Sequence, residues 1–90
     1  MQTMQIKIEG RVQGVFFRQS AQEKSIDLGL KGTVRNCEDD SVEIIATGST
    51  EQLDKLIAWC WHGPPRATVE NVRAQELPLR EFKNFSIIRF

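Results

Sequence analysis

The first third of the chain has the pattern of a strand, a loop and a helix. Apolar and polar residues alternate over residues 4–9, the period of a half-buried strand, and the alternation ends at Gly10. After a glycine-containing loop, apolar residues recur at helical spacings, which predicts a helix over residues 18–30. Gly29 and Gly32 mark the exit from that helix.

The middle of the chain predicts a hairpin followed by a second helix. Residues 32–37 and 41–47 form the two arms, joined by an acidic turn over residues 38–40. Ser49 and Gln52 have the spacing of a capping box at the start of the helix. Apolar residues at helical spacing then give this helix a buried face: Leu53, Leu56, Ile57 and Cys60.

The end of the second helix carries residues that could suggest a functional site. We expect Trp59 and Trp61 to pack against the protein rather than to stack on a ligand. The sequence His-Gly-Pro-Pro at residues 62–65 stops the helix. We therefore expect His62, the only histidine, to be a helix-end or surface residue rather than a catalytic one.

The last third completes an α+β fold. Residues 67–77 predict a strand in which Val69 and Val72 break strict alternation, which indicates a bulge, and residues 85–90 predict a short terminal strand. The order βαββαβ plus this strand predicts a two-layer ferredoxin-like sandwich, an antiparallel sheet with two helices on one face, as a single domain over residues 1–90. This fold has many functions, so it predicts no activity by itself.

Composition narrows the class of protein. The 90 residues include 12 Lys and Arg against 12 Asp and Glu, so the formal net charge is zero and a nucleic-acid partner is not expected. No apolar run is long enough to span a membrane, and the N-terminus lacks the apolar region of a signal peptide. We expect a cytoplasmic protein with no membrane partner and no room for a separate cofactor domain.

Charge is unevenly distributed along the chain. Residues 1–36 carry a net charge of +3, residues 37–70 a net charge of −5 and residues 71–90 a net charge of +2. Ordinary surface scatter is one explanation, and an anion site in the basic N-terminal third is the other. Cys37 and Cys60 are too few and too widely spaced for a disulfide framework or a CxxC site, and with one histidine they supply no metal ligand set.

The loop between the first strand and the first helix carries the candidate chemistry. A glycine loop that leads into a helix can direct several backbone N–H groups at an anion, and the helix N-terminus adds partial positive charge. Arg18, at the helix entry, would add a guanidinium fork that matches two phosphate oxygens. The loop lacks the ending of a Walker A motif, and on these residues alone a turn with a surface arginine is the commoner interpretation.

The exact sequence of this loop changes that interpretation. Residues 10–18 read GRVQGVFFR and resemble, residue for residue, the GRVQGVxFR signature of the acylphosphatases. Residues 32–36, GTVRN, followed by SVE at residues 41–43, are similar to a second segment of that family. Residues 63–69 and 85–90 also resemble the family, so the similarity covers nearly the whole chain.

The resemblance implies an enzyme that hydrolyses the carboxyl–phosphate bond of acyl phosphates to a carboxylate and inorganic phosphate. By position, Arg18 would bind the phosphate and Asn36 would orient the attacking water. The implied phosphate-binding residues are Arg18, through its side chain, and, through backbone N–H groups of the loop, Gln13, Gly14, Val15, Phe16 and Phe17. A carboxylate, with a conjugate-acid pKa of about 4, leaves without a general acid. The implied reaction needs no cofactor and no metal. We also expect the enzyme to be a monomer.

Two positions depart from the family pattern. Thr33 stands where the family prefers an aromatic residue, and we expect looser packing there. Asp40 stands where the family usually has glycine in the hairpin turn. Because aspartate tolerates a positive φ better than most residues, we expect a modest cost in stability rather than a broken hairpin. Neither departure alters Arg18 or Asn36.

Three other functions stay open on the sequence. A non-catalytic acylphosphatase-like module would bind phosphate without turnover. An RNA-binding sandwich shares the element order but needs base-stacking aromatic residues on a central strand, and residues 41–47 contain none. A small-molecule regulatory domain would pair through its sheet edges, so it would form a dimer with an interfacial ligand.

Overall fold

Seven elements of regular structure follow one another in the computed structural model, which describes residues 1–89. They are β1 (Gln2–Arg11), α1 (Phe17–Asp27), β2 (Lys31–Asn36), β3 (Val42–Gly48), α2 (Thr50–His62), β4 (Thr68–Leu77) and β5 (Phe85–Ile88). Their order confirms the predicted βαββαβ arrangement with an added strand. Phe90, the last residue of the predicted terminal strand, lies outside the described residues.

The strands form one sheet in the order β4-β1-β3-β2-β5. Four strands pair antiparallel as predicted, but β5 pairs parallel with β2, so the prediction of a fully antiparallel sheet is wrong at this edge. The connection over residues 78–84 explains the difference because it crosses the end of the sheet where β4 ends. Arg80 N donates to Thr3 Oγ1 at 2.9 Å, and Thr47 Oγ1 donates to Arg80 O at 2.7 Å. The chain therefore enters β5 at the end where β2 begins.

The core lies between the two helices and one face of the sheet. α1 packs over β2 and β5, while α2 packs over β4 and β1, and the helices contact each other. The fold is thus the predicted two-layer ferredoxin-like sandwich, which buries apolar side chains from both layers. The fully buried residues of the sheet include Ile6, Ile8, Val34, Val42, Ile44 and Ala46, and those of the helices include Phe17, Ala21, Leu53, Leu56 and Cys60.

The start and the apolar face of α2 follow the prediction. Gln52 N donates to Ser49 Oγ at 3.1 Å and Ser49 N donates to Gln52 Oε1 at 2.8 Å, which completes the capping box. Cys60 is buried as expected, and burial raises the pKa of its thiol to about 12. His62 is the exposed last residue of the helix, also as expected. Trp59 packs against the core as expected, but the prediction that Trp61 packs is wrong, since Trp61 is 48% exposed.

α1 ends three residues earlier than the sequence predicts. The last regular residue is Asp27, and Leu30 N then donates to Ser25 O at 2.8 Å while Gly29 N donates to Ile26 O at 3.0 Å. This arrangement is a Schellman-type helix end, which satisfies the last carbonyl groups and turns the chain back toward the sheet. Leu30 is therefore buried in the core although it lies after the end of α1, whereas its spacing in the sequence predicted that it belongs to the helix.

The predicted bulge is confirmed in β4. Glu9 of β1 pairs with Asn71, but the next residue, Gly10, pairs with Val69, so Glu70 is the extra residue. A bulge of this kind increases the local twist of the strand pair. The bulge lies opposite the end of β1, where the chain continues from Gly10 into the loop that leads to α1.

The Asp40→Gly variant is expected to raise the free energy of unfolding by about 0.5–1 kcal/mol. Asp40 has φ 70°, which confirms the positive φ anticipated at this turn, and its exposed side chain makes no hydrogen bond within residues 1–89. Urea unfolding monitored by circular dichroism measures the change. Glu38→Gly in the same turn is the matched control and should lower stability, because Glu38 has no positive φ. A less stable Asp40→Gly variant would contradict the prediction.

Candidate functional site

The loop over residues 12–16 changes the backbone direction twice before α1 begins. Gly14 has φ 73° and Phe16 has φ 65°, so both adopt the left-handed conformation. At Gly14 this conformation costs little, whereas at Phe16 it costs about 1–2 kcal/mol. The strained residue is the N-cap of α1, and its side chain is 66% exposed.

The N-terminus of α1 is available to an anion. Phe16 makes no side-chain cap, the first turn contains no acidic residue, and the first helical hydrogen bond runs from Ser20 N to Phe16 O at 3.1 Å. The N–H groups of residues 17–19 therefore have no helical acceptor. Such groups, with the helix dipole, favour negative charge at this end of the helix.

A cavity of about 320 Å³ lies in front of this helix end. It brings Arg18 of α1 together with Asn36 at the end of β2. The cavity is lined by Val12, Gly14, Phe16, Phe17, Arg18, Gln19, Asn36 and Arg89. Among residues 1–89, two arginines and no acidic residue line this space, which favours an anion there.

The side chains of Arg18 and Asn36 are not used to stabilise the fold. Within residues 1–89 neither side chain takes part in a hydrogen bond or an ion pair with the protein. The turn that follows Asn36 is instead closed by Asp39, whose Oδ1 accepts hydrogen bonds from Ser41 N at 3.2 Å and Ser41 Oγ at 2.5 Å. Asn36 therefore does not cap this turn, which is the usual structural role of an asparagine at the end of a hairpin arm.

Comparison with known proteins assigns this arrangement to a family. The sequence model of the acylphosphatase family matches residues 4–87. The chain belongs to the acylphosphatase family. An acylphosphatase from Methylococcus capsulatus is 43% identical over 90 residues, which cover 99% of this chain and 98% of that protein. One from Marinobacter nauticus is 51% identical over 79 residues, which cover 87% and 86% of the two chains.

A solved structure agrees with the sequence comparison. The crystal structure of acylphosphatase from Bacillus subtilis matches with a TM-score of 0.95 at 33% identity, and the match covers 99% of this chain and 100% of that one. These matches confirm the acylphosphatase family, the ferredoxin-like fold and the hydrolase class predicted from the sequence.

Two residues of the expected phosphate-binding loop do not line the cavity of this acylphosphatase. Val15 turns its side chain into the core, and Gln13 points its side-chain amide at the hairpin between β2 and β3. The sequence assigned both residues through their backbone N–H groups, and that assignment stays a prediction. The side chains of Val15 and Gln13 instead fix the loop in place from two sides.

Sequence reasoning missed three of the lining residues, which are Val12, Gln19 and Arg89. Gln19 follows Arg18 on α1, and Arg89 follows β5. Arg89 reaches the site because β5 runs parallel to β2, with Ile88 paired to Arg35 beside Asn36. The similarity of residues 85–90 to the acylphosphatases was the available signal, but the predicted antiparallel sheet gave no reason to place this segment next to β2.

Phe17 anchors the start of α1 to the rest of the enzyme. Its ring is buried against Trp59, with centroids 5.5 Å apart and an interplanar angle of 59°. Gly63, with φ 64°, lies so close that a Cβ there would be 2.8 Å from Phe17 Cε2. The glycine after α2 thus makes room for the aromatic residue that precedes Arg18.

Two ion pairs hold the hairpin that carries Asn36. Lys7 Nζ lies 2.6 Å from Asp39 Oδ2, and the hydrogen bond from Lys7 holds the pKa of Asp39 well below its usual range. Arg35 Nε lies 2.9 Å from Glu43 Oε1, and this hydrogen bond raises the pKa of Arg35. Exposed pairs contribute little stability. Their consequence for the site is that both carboxylates are occupied outside the cavity.

The described residues were also searched for membrane spans and metal ligands. No helix within residues 1–89 is both long and apolar enough to cross a membrane. In the same part of the chain, no group of three or more His, Cys, Asp or Glu side chains is placed to hold a metal ion. Independence of metal stays a prediction, and the assay below tests it.

Proposed function

We propose that the cavity in front of α1 is where this acylphosphatase hydrolyses acyl phosphates to a carboxylate and inorganic phosphate. The observation that supports it is the meeting of an uncapped helix N-terminus with two side chains, Arg18 and Asn36, that have no partner within residues 1–89. The phosphate of the substrate occupies the positive end of α1. The acyl group extends from the cavity toward solvent.

Arg18 binds two phosphate oxygens and stabilises the charge that they carry during transfer. Its guanidinium fork matches phosphate geometry, and backbone N–H groups of residues 13–17 bind the remaining oxygens. Arg89 adds a second positive charge in the same cavity. Phosphoryl transfer depends mainly on positioning and charge stabilisation, which these groups supply.

Asn36 orients the water that attacks phosphorus. The water oxygen forms a bond to phosphorus while the bond between phosphorus and the carboxyl oxygen breaks, and the electron pair of that bond leaves with the carboxylate. A phosphate oxygen takes the proton of the water. Because the conjugate acid of the leaving group has a pKa of about 4, no protein acid is needed. The mechanism therefore uses neither His62 nor either cysteine.

The enzyme acts as a monomer in the cytoplasm. Arg18 and Asn36 line the same cavity, and the loop proposed to bind phosphate belongs to the same chain, so a second copy is not needed to complete the site. Cys37 and Cys60 are both free thiols, as expected for a protein in a reducing compartment.

Phosphate release from acetyl phosphate and from p-nitrophenyl phosphate, each with and without EDTA, tests the proposed reaction. We expect hydrolysis of the acyl phosphate alone, at the same rate with and without EDTA, because the phenolate of the monoester is a poorer leaving group that no protein acid assists. Hydrolysis of p-nitrophenyl phosphate as fast as acetyl phosphate would contradict the proposal that the enzyme has no general acid. Loss of activity with EDTA would contradict metal independence, and phosphate binding without turnover would favour a non-catalytic module.

A further inference from the structure

The side chain of Gln13 joins the phosphate-binding loop to the hairpin that carries Asn36. Gln13 Nε2 donates to Cys37 O and to Ser41 O, each at 2.9 Å. These two carbonyl groups lie on opposite arms of the hairpin, one after Asn36 and the other before Val42. Since Asn36 and Val42 are paired across β2 and β3, the amide contacts both arms of the hairpin one residue beyond this pair.

The hairpin turn is closed without this side chain. Cys37 N donates to Ser41 O at 2.8 Å, and Asp40 N donates to Cys37 O at 3.2 Å. Both carbonyl groups therefore keep a backbone donor when Gln13 is removed, and neither is left unsatisfied. What the Gln13 amide adds is a fixed distance between the hairpin and the loop.

We propose that Gln13 is a positioning residue, which sets the place of Asn36 relative to the phosphate and so aligns the attacking water. The proposal rests on the proposed roles of Asn36 and the loop. In-line attack is sensitive to geometry, since a misplacement of about 1 Å can cost a hundredfold in rate. A residue that acts on alignment changes kcat more than it changes the binding of phosphate.

The first test compares Gln13→Met with Gln22→Met. Gln22 Nε2 also donates to a backbone carbonyl, that of Phe85 at 3.0 Å, but this bond joins α1 to β5 rather than the loop to the hairpin that carries Asn36. Both changes replace an amide with an unbranched apolar side chain of similar length. We expect Gln13→Met to lower kcat about tenfold with KM within about twofold of the parent, and Gln22→Met to change neither. Equal kcat values for the two variants would overturn the proposal.

The second test asks whether Gln13 acts through Asn36. We expect the Asn36→Ala/Gln13→Met double variant to have the kcat of Asn36→Ala alone, because alignment has no effect once the aligned group is gone. If Gln13→Met lowered kcat by the same factor in the parent and in Asn36→Ala, Gln13 would act by a route other than Asn36, and the proposal would be overturned. If Asn36→Ala keeps the parental kcat, the proposed role of Asn36 fails instead, whatever Gln13→Met does.

A Gln13→Glu variant gives a readout that a purely structural role would not move. Its ionised carboxylate faces two carbonyl oxygens and donates no hydrogen bond, whereas the protonated carboxyl group donates one. We expect its kcat, relative to the parent at each pH, to rise as the pH falls toward the pKa of the new carboxyl group. A ratio that is independent of pH while the variant stays folded would overturn the proposal.

Discussion

The Arg18→Ala variant is expected to lose at least about a hundredfold in kcat for acetyl phosphate and to bind inorganic phosphate more weakly. Both effects are expected because, in the proposed mechanism, the guanidinium contacts the same oxygens in the substrate, the transition state and the product. Phosphate is a competitive inhibitor in this scheme, so its inhibition constant measures the loss of binding separately from the loss of turnover. Steady-state kinetics with and without phosphate give both numbers.

Arg11→Ala is the matched control for this prediction. It removes the same charge from an exposed residue at the end of β1 that does not line the cavity, so kcat should stay within about twofold of the parent. Arg18→Lys separates charge from geometry, since lysine keeps the charge but lacks the planar fork. If Arg18→Ala hydrolysed acetyl phosphate as fast as Arg11→Ala, the phosphate site would have to lie elsewhere.

Local patterns in the sequence were enough to predict the elements on which the site stands. The capping box of Ser49 and Gln52, the apolar stripe of α2 and the bulge in β4 depend on residues within one element or on one strand pair. The loop before α1 was also predicted, because its amino-acid string is specific to the family. What these features share is that nearby residues determine them.

The remaining features depend on contacts between distant parts of the chain. β5 pairs parallel with β2 because residues 78–84 cross the sheet end, where Thr3 and Thr47 bind the backbone of Arg80. No local pattern encodes that crossing, so Arg89 could not be placed in the cavity from the sequence. The exposure of Trp61 is likewise decided by which face of α2 meets the sheet.

Strain in the loop is consistent with its proposed use. The left-handed conformation of Phe16 costs about 1–2 kcal/mol, and burial of its largely exposed side chain offsets little of that cost. That conformation lets the chain enter α1 without a side-chain cap, so the first N–H groups of the helix remain available to phosphate. The fixed contacts of Phe17 with Trp59 and of Gln13 with the hairpin hold the loop in this shape.

The Asn36→Ala variant is expected to lose about a hundredfold in kcat while KM and the inhibition constant of phosphate stay within about twofold of the parent. The side-chain amide contacts the water rather than the phosphate in the proposed mechanism, so its loss acts on the attack and not on binding. The fold should tolerate the change, because the Asn36 side chain has no hydrogen-bond partner within residues 1–89 and Asp39 closes the adjacent turn. Steady-state kinetics and thermal unfolding measure these effects.

Two further variants test whether the loss of kcat in Asn36→Ala comes from the lost orientation of the attacking water. Asn71→Ala removes an asparagine from β4, where its amide donates to Glu9 at 3.2 Å outside the cavity, and should keep the parental kcat. Asn36→Asp keeps the size of the side chain but places a negative charge beside the phosphate, so it should weaken phosphate binding as well as turnover. A rise in KM for Asn36→Ala as large as the fall in kcat/KM would instead assign Asn36 to substrate binding. The split between kcat and KM thus distinguishes a group that holds the water from one that holds the phosphate, and Arg18→Ala, which changes both, is the reference for the second case.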